Sequence, residues 1–409
     1  MANPPQTRGW IFRVRPRAHA TALTALFATM CLIASTHMAR AQTFRAVYSF
    51  QDKKDGRNPQ VGLFTDAIYG TTFLGGDPTC GCGTIFKLLP AGTIKTLHTF
   101  VGTDGANPTA GLVEDKNGNL FGTTAQGGIG TPSAGTVFKL APPATVGAPW
   151  TETVLYTFTG GSDGAHPYAG LIFDSAGNLY GTTYGGGAFN YGTVFRLDST
   201  GNETVLYSFT GFPDGASPYA GVVQDSAGNL YGTTGAGGAF GYGTVYKLDS
   251  SGVETVLHSF NGGTEGAYPC AGLTLDATGN LYGTANEGGA PGNTGDNGTM
   301  FELNSIGGFT VLHTFTGGVG GSNPAAGMIL NSAGKLFGVT TEGGDRDDDG
   351  TVFQLDLTTG IFSVLHTFAA GSGGAYPYTG LILDPAGNLY GATVDGGTGK
   401  RGLVFEVTP

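Results

Sequence analysis

The chain has 409 residues, 75 of them glycine, with only 12% charged side chains and a formal net charge of −11. Such an acidic surface repels phosphate backbones and anionic bilayers, which excludes nucleic acid as a partner. Low charge with so much glycine is also found in disordered chains, but Val, Leu, Tyr and Phe recur regularly enough to bury apolar surface in every repeat.

Residues 1–41 read as a secretory signal and residues 42–409 as the fold. Arg8, Arg13, Arg15 and Arg17 form a positive head, residues 20–35 are apolar, and Ala39-Arg40-Ala41 gives a small-residue cleavage pattern. The apolar stretch is too short to span a bilayer, so no membrane insertion is expected after cleavage. Met30 stands before Cys31 where a lipid-anchored start needs a small residue. The segment removed carries five arginines and no acid, which leaves the remainder more acidic still. No hydrophobic tail or sorting signal follows Phe405-Glu406-Val407, so the expected location is exported: extracellular, cell-surface or periplasmic. Beyond the signal stand Cys80, Cys82 and Cys270, an odd count that leaves one thiol over in an oxidising compartment. A Cys80–Cys82 bridge would close a small, labile ring, and no second cysteine pair or nearby histidine completes a zinc set.

Seven copies of an aromatic-ending strand then follow, closing at Phe50, Phe100, Phe158, Phe209, Phe260, Phe315 and Phe368. Each period holds four strand candidates, which in the third unit are residues 170–174, 178–183, 193–197 and 203–209. Asp174-Ser175-Ala176-Gly177-Asn178 reads as a tight hairpin in which Gly177 supplies a positive φ, and it recurs at 115–119, 225–229, 276–280 and 384–388. Its acids are therefore turn formers. The first strand of each unit begins small, as in Ala169-Gly170 and Ala220-Gly221, whereas the last is bulky, as in Val205-Leu206-Tyr207-Ser208-Phe209. A sheet narrow at one edge and broad at the other is a wedge, and wedges close into a disc. The expectation is an all-β, seven-bladed β-propeller of four-stranded antiparallel blades; a β-helix needs a shorter coil. The chain starts with an outer-type strand, 44–50, and ends with a third-type strand, 403–407. The two are expected to share the last blade and close the ring.

The motif Gly177-Asn178-Leu179-Tyr180-Gly181-Thr182-Thr183, a glycine-rich loop, then Gly192-Thr193-Val194-Phe195 resembles the GloVer-type tandem repeat of exported bacterial proteins. The resemblance runs over nearly all of residues 44–407. It implies export and no particular activity, and this chain departs from anchored members of that family in showing no C-terminal anchor. The hairpin is also similar to NHL and kelch blades, which supports the fold alone.

The loops between second and third strands differ from copy to copy on an otherwise uniform frame, which makes one face a recognition surface. Phe189 with Tyr191, and Phe240 with Tyr242, lie in two of these loops. They either stack on sugar rings or hold a peptide, or else cover the blade edge by packing on Pro167-Tyr168 and Pro218-Tyr219. Asp345, Asp347 and Asp349, with Gly350, match the opening of a calcium loop, the one cofactor expected; its twelfth position is Asp356, placed like the turn residue Asp198. His98, His258, His313 and His366 occupy the place of Tyr48, Tyr156 and Tyr207, so that position wants a flat ring with one polar atom for a blade-to-blade contact.

These features together read as a secreted, non-enzymatic, monomeric propeller presenting variable loops to an extracellular glycan or protein. An extracellular polysaccharide hydrolase or lyase, and a structural cell-surface protein, are the alternatives. Two carboxylates with an Arg or His at the channel mouth would mark the enzyme. A smooth glycine-lined mouth with exposed rings would mark the binder.

Overall fold

Apolar runs broken every few residues by Gly, Asn and Asp favour short strands joined by tight turns. The computed structural model describes residues 42–409 apart from 53, 65–66, 131–132, 146, 290–296 and 345–346. The segment expected to be a signal, 1–41, lies outside the described residues. Seven antiparallel sheets of four strands form a β-propeller. In the third, Ile172–Phe173, Leu179–Thr183, Thr193–Leu197 and Glu203–Ser208 pair in chain order. The last sheet consists of Ile382–Leu383, Leu389–Thr393 and Leu403–Thr408 with Thr43–Ser49 as its fourth strand, Phe44 opposite Val407 and Ala46 opposite Phe405. The innermost strand is shorter than its sequence suggests, because Ala169-Gly170 runs past its neighbours at the axis and Asp174 already belongs to the turn.

Each of seven core clusters spans two neighbouring sheets, and one of them joins last to first through Phe50, Phe86 and Val404. The contact at the heart of each cluster explains the repeated aromatics. The ring that ends each outer strand, such as Phe158, meets the third-strand ring of the next sheet, such as Phe195, with centroids 5.0–5.3 Å apart. Both Phe158 and Phe195 are fully buried, and burying each ring stabilises the fold by about 1.5–3 kcal/mol. Phe195 lies across Gly181, where a Cβ would stand 2.7 Å from its Cζ, so the glycine of Leu-Tyr-Gly-Thr-Thr makes room for the ring. Beside it the Thr183 and Thr193 hydroxyls bond at 2.8 Å, a buried pair repeated as Thr72–Thr84, Thr124–Thr136, Thr234–Thr244 and Thr340–Thr351.

A second device repeats seven times. The proline of each lead-in loop sits on the glycine that opens the third strand of the preceding sheet, as Pro218 does on Gly192. A Cβ at those glycines would lie 2.6–2.8 Å from the proline Cδ.

The hairpin acids are turn formers. Asp174 Oδ1 accepts the Ala176 and Asn178 N–H groups, and Oδ2 accepts the Asn178 side chain. Partial burial opposes ionisation of Asp115, Asp174, Asp225 and Asp276, but these hydrogen bonds outweigh it and hold the four carboxyls below the usual range.

At the rim, the Tyr or His of every outer strand except that of the first sheet bridges sheets in one of two ways. Tyr156 and Tyr207 donate to Asp163 and Asp214 of the following lead-in loop, at 3.1 and 2.5 Å, with Glu203 and Glu254 of the next outer strand nearby. His258, His313 and His366 instead stack flat on Phe309, Phe362 and Phe44 at 3.8 Å. Where the lead-in acid is missing, Gly318–Gly320 and Gly371–Gly373 coil into single 3-10 turns. Burial, then the charge of Asp163 or Asp214, pushes Glu203 and Glu254 up to about 7, and burial draws His366 down to about 4.

Three outcomes are expected. Gly192→Ala meets a φ of +93°, the Thr183 carbonyl oxygen at 2.3 Å and the seated Pro218 at 2.7 Å, whereas Gly177→Ala meets only a φ of +85° with nothing within 4 Å. Denaturant unfolding should therefore show losses of roughly 2–4 and 1–2 kcal/mol respectively; equal losses refute the close packing at Gly192. Tyr246 replaces phenylalanine in the core ring and buries a hydroxyl without a partner, so Tyr246→Phe should stabilise by about 1 kcal/mol. The folded Glu203 and Glu254 hold protons between their ordinary pKa of 4.5 and about 7 that the unfolded chain has released. Their contribution to stability is therefore full below pH 4.5 and lost as pH rises through 7. The Glu203→Gln/Glu254→Gln protein should lose less melting temperature between pH 5 and 8 than the parent, and parallel curves would refute the assignment.

Candidate binding face

The lead-in loops and the loops between second and third strands are woven into one face by backbone hydrogen bonds. Ala165 bridges Gly185 of its own sheet, and the His166 N–H donates to Ala134 O of the preceding sheet at 2.8 Å. Asn58, Asn107, His166, Ser217, Tyr268, Asn323 and Tyr376 make the corresponding bond, all at φ between 54° and 58°. His166 is thus a backbone corner, and its ring nitrogen Nδ1 stands 2.9 Å from Ala125 O.

After each such corner and its proline comes a residue that borders the central mouth, then a small residue and glycine at the axis: Ala-Gly in five copies, Val61-Gly62 in the first and Thr379-Gly380 in the seventh. The walls of the mouth are close: a Cβ at Gly111 would stand 2.6 Å from Gly62 Cα, and one at Gly221 2.9 Å from Gly170 O. The cavity is only about 200 Å³, and no carboxylate lines it among the described residues. The bordering residue is Tyr168, Tyr219 and Tyr378 in the third, fourth and seventh sheets and Gln60, Thr109, Cys270 and Ala325 in the others. Tyr168 and Tyr219 stack with centroids 5.0 Å apart, and Tyr184 meets them edge-on at 5.4 and 6.1 Å. Tyr219 is nonetheless 42% exposed and Tyr378 52%. Burial, then the neighbouring Tyr168 and Tyr378, pushes the Tyr219 phenol up to about 12, which keeps it a neutral donor. Burial also pushes the free Cys270 thiol up to about 11, while Cys80 and Cys82 are disulfide-bonded.

Beside Tyr378 opens a cleft of about 480 Å³ lined by Tyr376, Arg57, Lys400, Arg401 and Asp395. Asp52 holds Arg57 at 3.0 Å and Arg401 at 3.2 Å. Three cations thus gather in a protein that is acidic overall.

The four aromatics singled out in the sequence lie on this face, farther from the axis. Tyr191 rests over Gly211, and Tyr242 rests over Gly262 and meets Tyr268 edge-on at 5.7 Å. Each tyrosine therefore anchors its loop on the next lead-in turn. Phe189 and Phe240 project outward, 57% and 61% exposed. Asp345 lies outside the described residues; Asp347 is exposed and Asp349 buried, and Asp356 accepts the Thr358 and Thr359 N–H groups as a turn residue. Elsewhere, His98, Asp104 and Glu152 converge closely enough to hold a metal ion. The tyrosine border escaped sequence reading, though a signal was present: between a constant proline and a glycine three residues later, the residue after the proline varies most.

Among described residues no helix is long and apolar enough to cross a membrane. No curated protein matches the sequence. The chain is similar in fold to the extracellular domain of a one-component system from B. thetaiotaomicron, with a TM-score of 0.55 at 10% identity, over 88% of this chain and 39% of that longer one. It is similar to an oligogalacturonate lyase from Vibrio parahaemolyticus at 0.53 and 10% identity, over 90% and 96% of the two chains. An oligogalacturonate lyase in complex with manganese is likewise similar, at 0.53 and 12% identity with the same coverage. At such identities the likeness speaks for the propeller alone. The Gloeobacter/Verrucomicrobia repeat matches residues 33–152, 134–328 and 290–409, and with that coverage the chain belongs to this repeat family.

Proposed function

We propose that the protein is exported and binds an extracellular glycan on its tyrosine-bordered face without turning it over. The observation that carries this reading is a set of exposed, mutually braced phenol rings around a mouth walled by Gly and Ala. Such rings offer flat apolar surface to a sugar at little entropic cost, and their hydroxyls stay protonated to donate hydrogen bonds. The cleft beside Tyr378 favours a glycan with anionic substituents, because Arg57 and Lys400 would meet a carboxylate or sulfate there. The Cys80–Cys82 disulfide and the arginine-headed leader fit an oxidising compartment.

A glycan array probed with residues 42–409 tests the reading, using neutral and uronate-bearing polysaccharides. Acidic glycans should be retained. Tyr219→Ala and Tyr378→Ala should each weaken binding roughly 3–10-fold with melting temperature nearly unchanged. Phe240→Ala reports whether the outer rings extend the same surface. New chain ends in a bound polysaccharide would replace the reading with a hydrolase or lyase, and an empty array would leave the structural role.

A further inference from the structure

The rim junction between the first and second sheets differs from the six others. His98 lies in the outer strand Ile94–Thr99 of the first sheet, Asp104 comes from the lead-in loop, and Glu152 belongs to the outer strand Thr151–Thr157 of the second. His98 Nε2 stands 3.0 Å from Asp104 Oδ2, and one donor atom from each of the three residues lies within 4.8 Å of the others. Both His98 and Asp104 have side chains only 18% exposed. The imidazole is held edge-on by Phe100 at 4.9 Å, and Asp104 Oδ1 is fixed by the Val101 N–H at 2.9 Å. Glu152 Oε1 is buried with no hydrogen-bond partner.

We propose that His98, Asp104 and Glu152 form a divalent transition-metal site, best suited to zinc, that staples the first sheet to the second. A tetrahedral zinc ion with bonds of about 2.0–2.2 Å places its donors roughly 3.4 Å apart, within the spread seen here. An imidazole nitrogen with two carboxylates and one open position matches zinc's preferences, whereas calcium asks for six to eight oxygens.

The repeat supplies its own comparison. Tyr156 with Asp163 and Glu203, and Tyr207 with Asp214 and Glu254, keep both acids but replace the imidazole by a phenol hydrogen-bonded to the lead-in acid. His258 with Glu265 has Phe309 where the third ligand would stand, and His313 and His366 lack the lead-in acid. Among the described residues, only the first junction combines all three donors.

The test uses residues 42–409 freed of metal with chelator, then titrated with zinc. His98→Tyr recreates a junction the chain already builds twice, so it folds while losing the nitrogen ligand; Glu152→Gln removes one carboxylate. One equivalent of zinc should bind the parent and raise its melting temperature by roughly 2–5 °C at a hundredfold excess over Kd. Both variants should bind at least ~10-fold more weakly, and calcium should produce no rise. A parent indifferent to zinc, or a His98→Tyr protein with the same response, overturns the site.

Discussion

Everything in this molecule leans on one contact repeated around the ring: an aromatic side chain at the end of an outer strand pressed edge-on against the third-strand ring of the next sheet. Each sheet offers both halves of that contact, so no sheet buries its aromatics alone. Phe50 on Phe86 is the same joint as Phe158 on Phe195, and it is the one that links the last sheet to the first. The glycines follow from it. One lies beneath the ring and one beneath the neighbouring proline, and both are places where a side chain would hold two sheets apart.

This joint also decides where variation is tolerated. Its residues repeat with little change, whereas the rim below it switches between a hydrogen-bonded tyrosine and a stacked histidine. The two solutions differ electrostatically. One keeps two acids close together and half-dry, and the other keeps a desolvated imidazole against a phenyl face. The residues bordering the mouth vary more freely still, because each has one side open to solvent. Uniform joints thus hold a border of unlike side chains, and the tyrosines on it give the face its directionality.

The fold was legible because its central contact occurs once per repeat and so shows itself as a period. The strand 193–197 coincides with the observed Thr193–Leu197, and Asp174 and Gly177 play the turn roles their types suggest. The innermost strand was overextended because Ala-Gly looks like strand in sequence, while its position at a crowded axis leaves just Ile172–Phe173 to pair. The site was harder to see. Tyr168, Tyr219 and Tyr378 belong to three different sheets, and closure of the ring is what brings the last of them near the others. His98 and Asp104 are close in sequence, but the Glu152 that completes their group comes from the next unit. Phe189 and Phe240 stood out because they are large and exposed, a weaker criterion than convergence on an axis.

The pairing of Thr43–Ser49 with Leu403–Thr408 has a temporal consequence. Thr43–Ser49 is made long before its partner, since the sheet it completes does not exist until Leu403–Thr408 arrives. Until then it is a β-segment without its sheet, and Phe44, which packs on His366, Phe368 and Phe405, has nothing to cover it. Assembly of the finished disc is thus a late event that waits for all seven sheets, and the interval before it is when this chain is most exposed to pairing with a stranger.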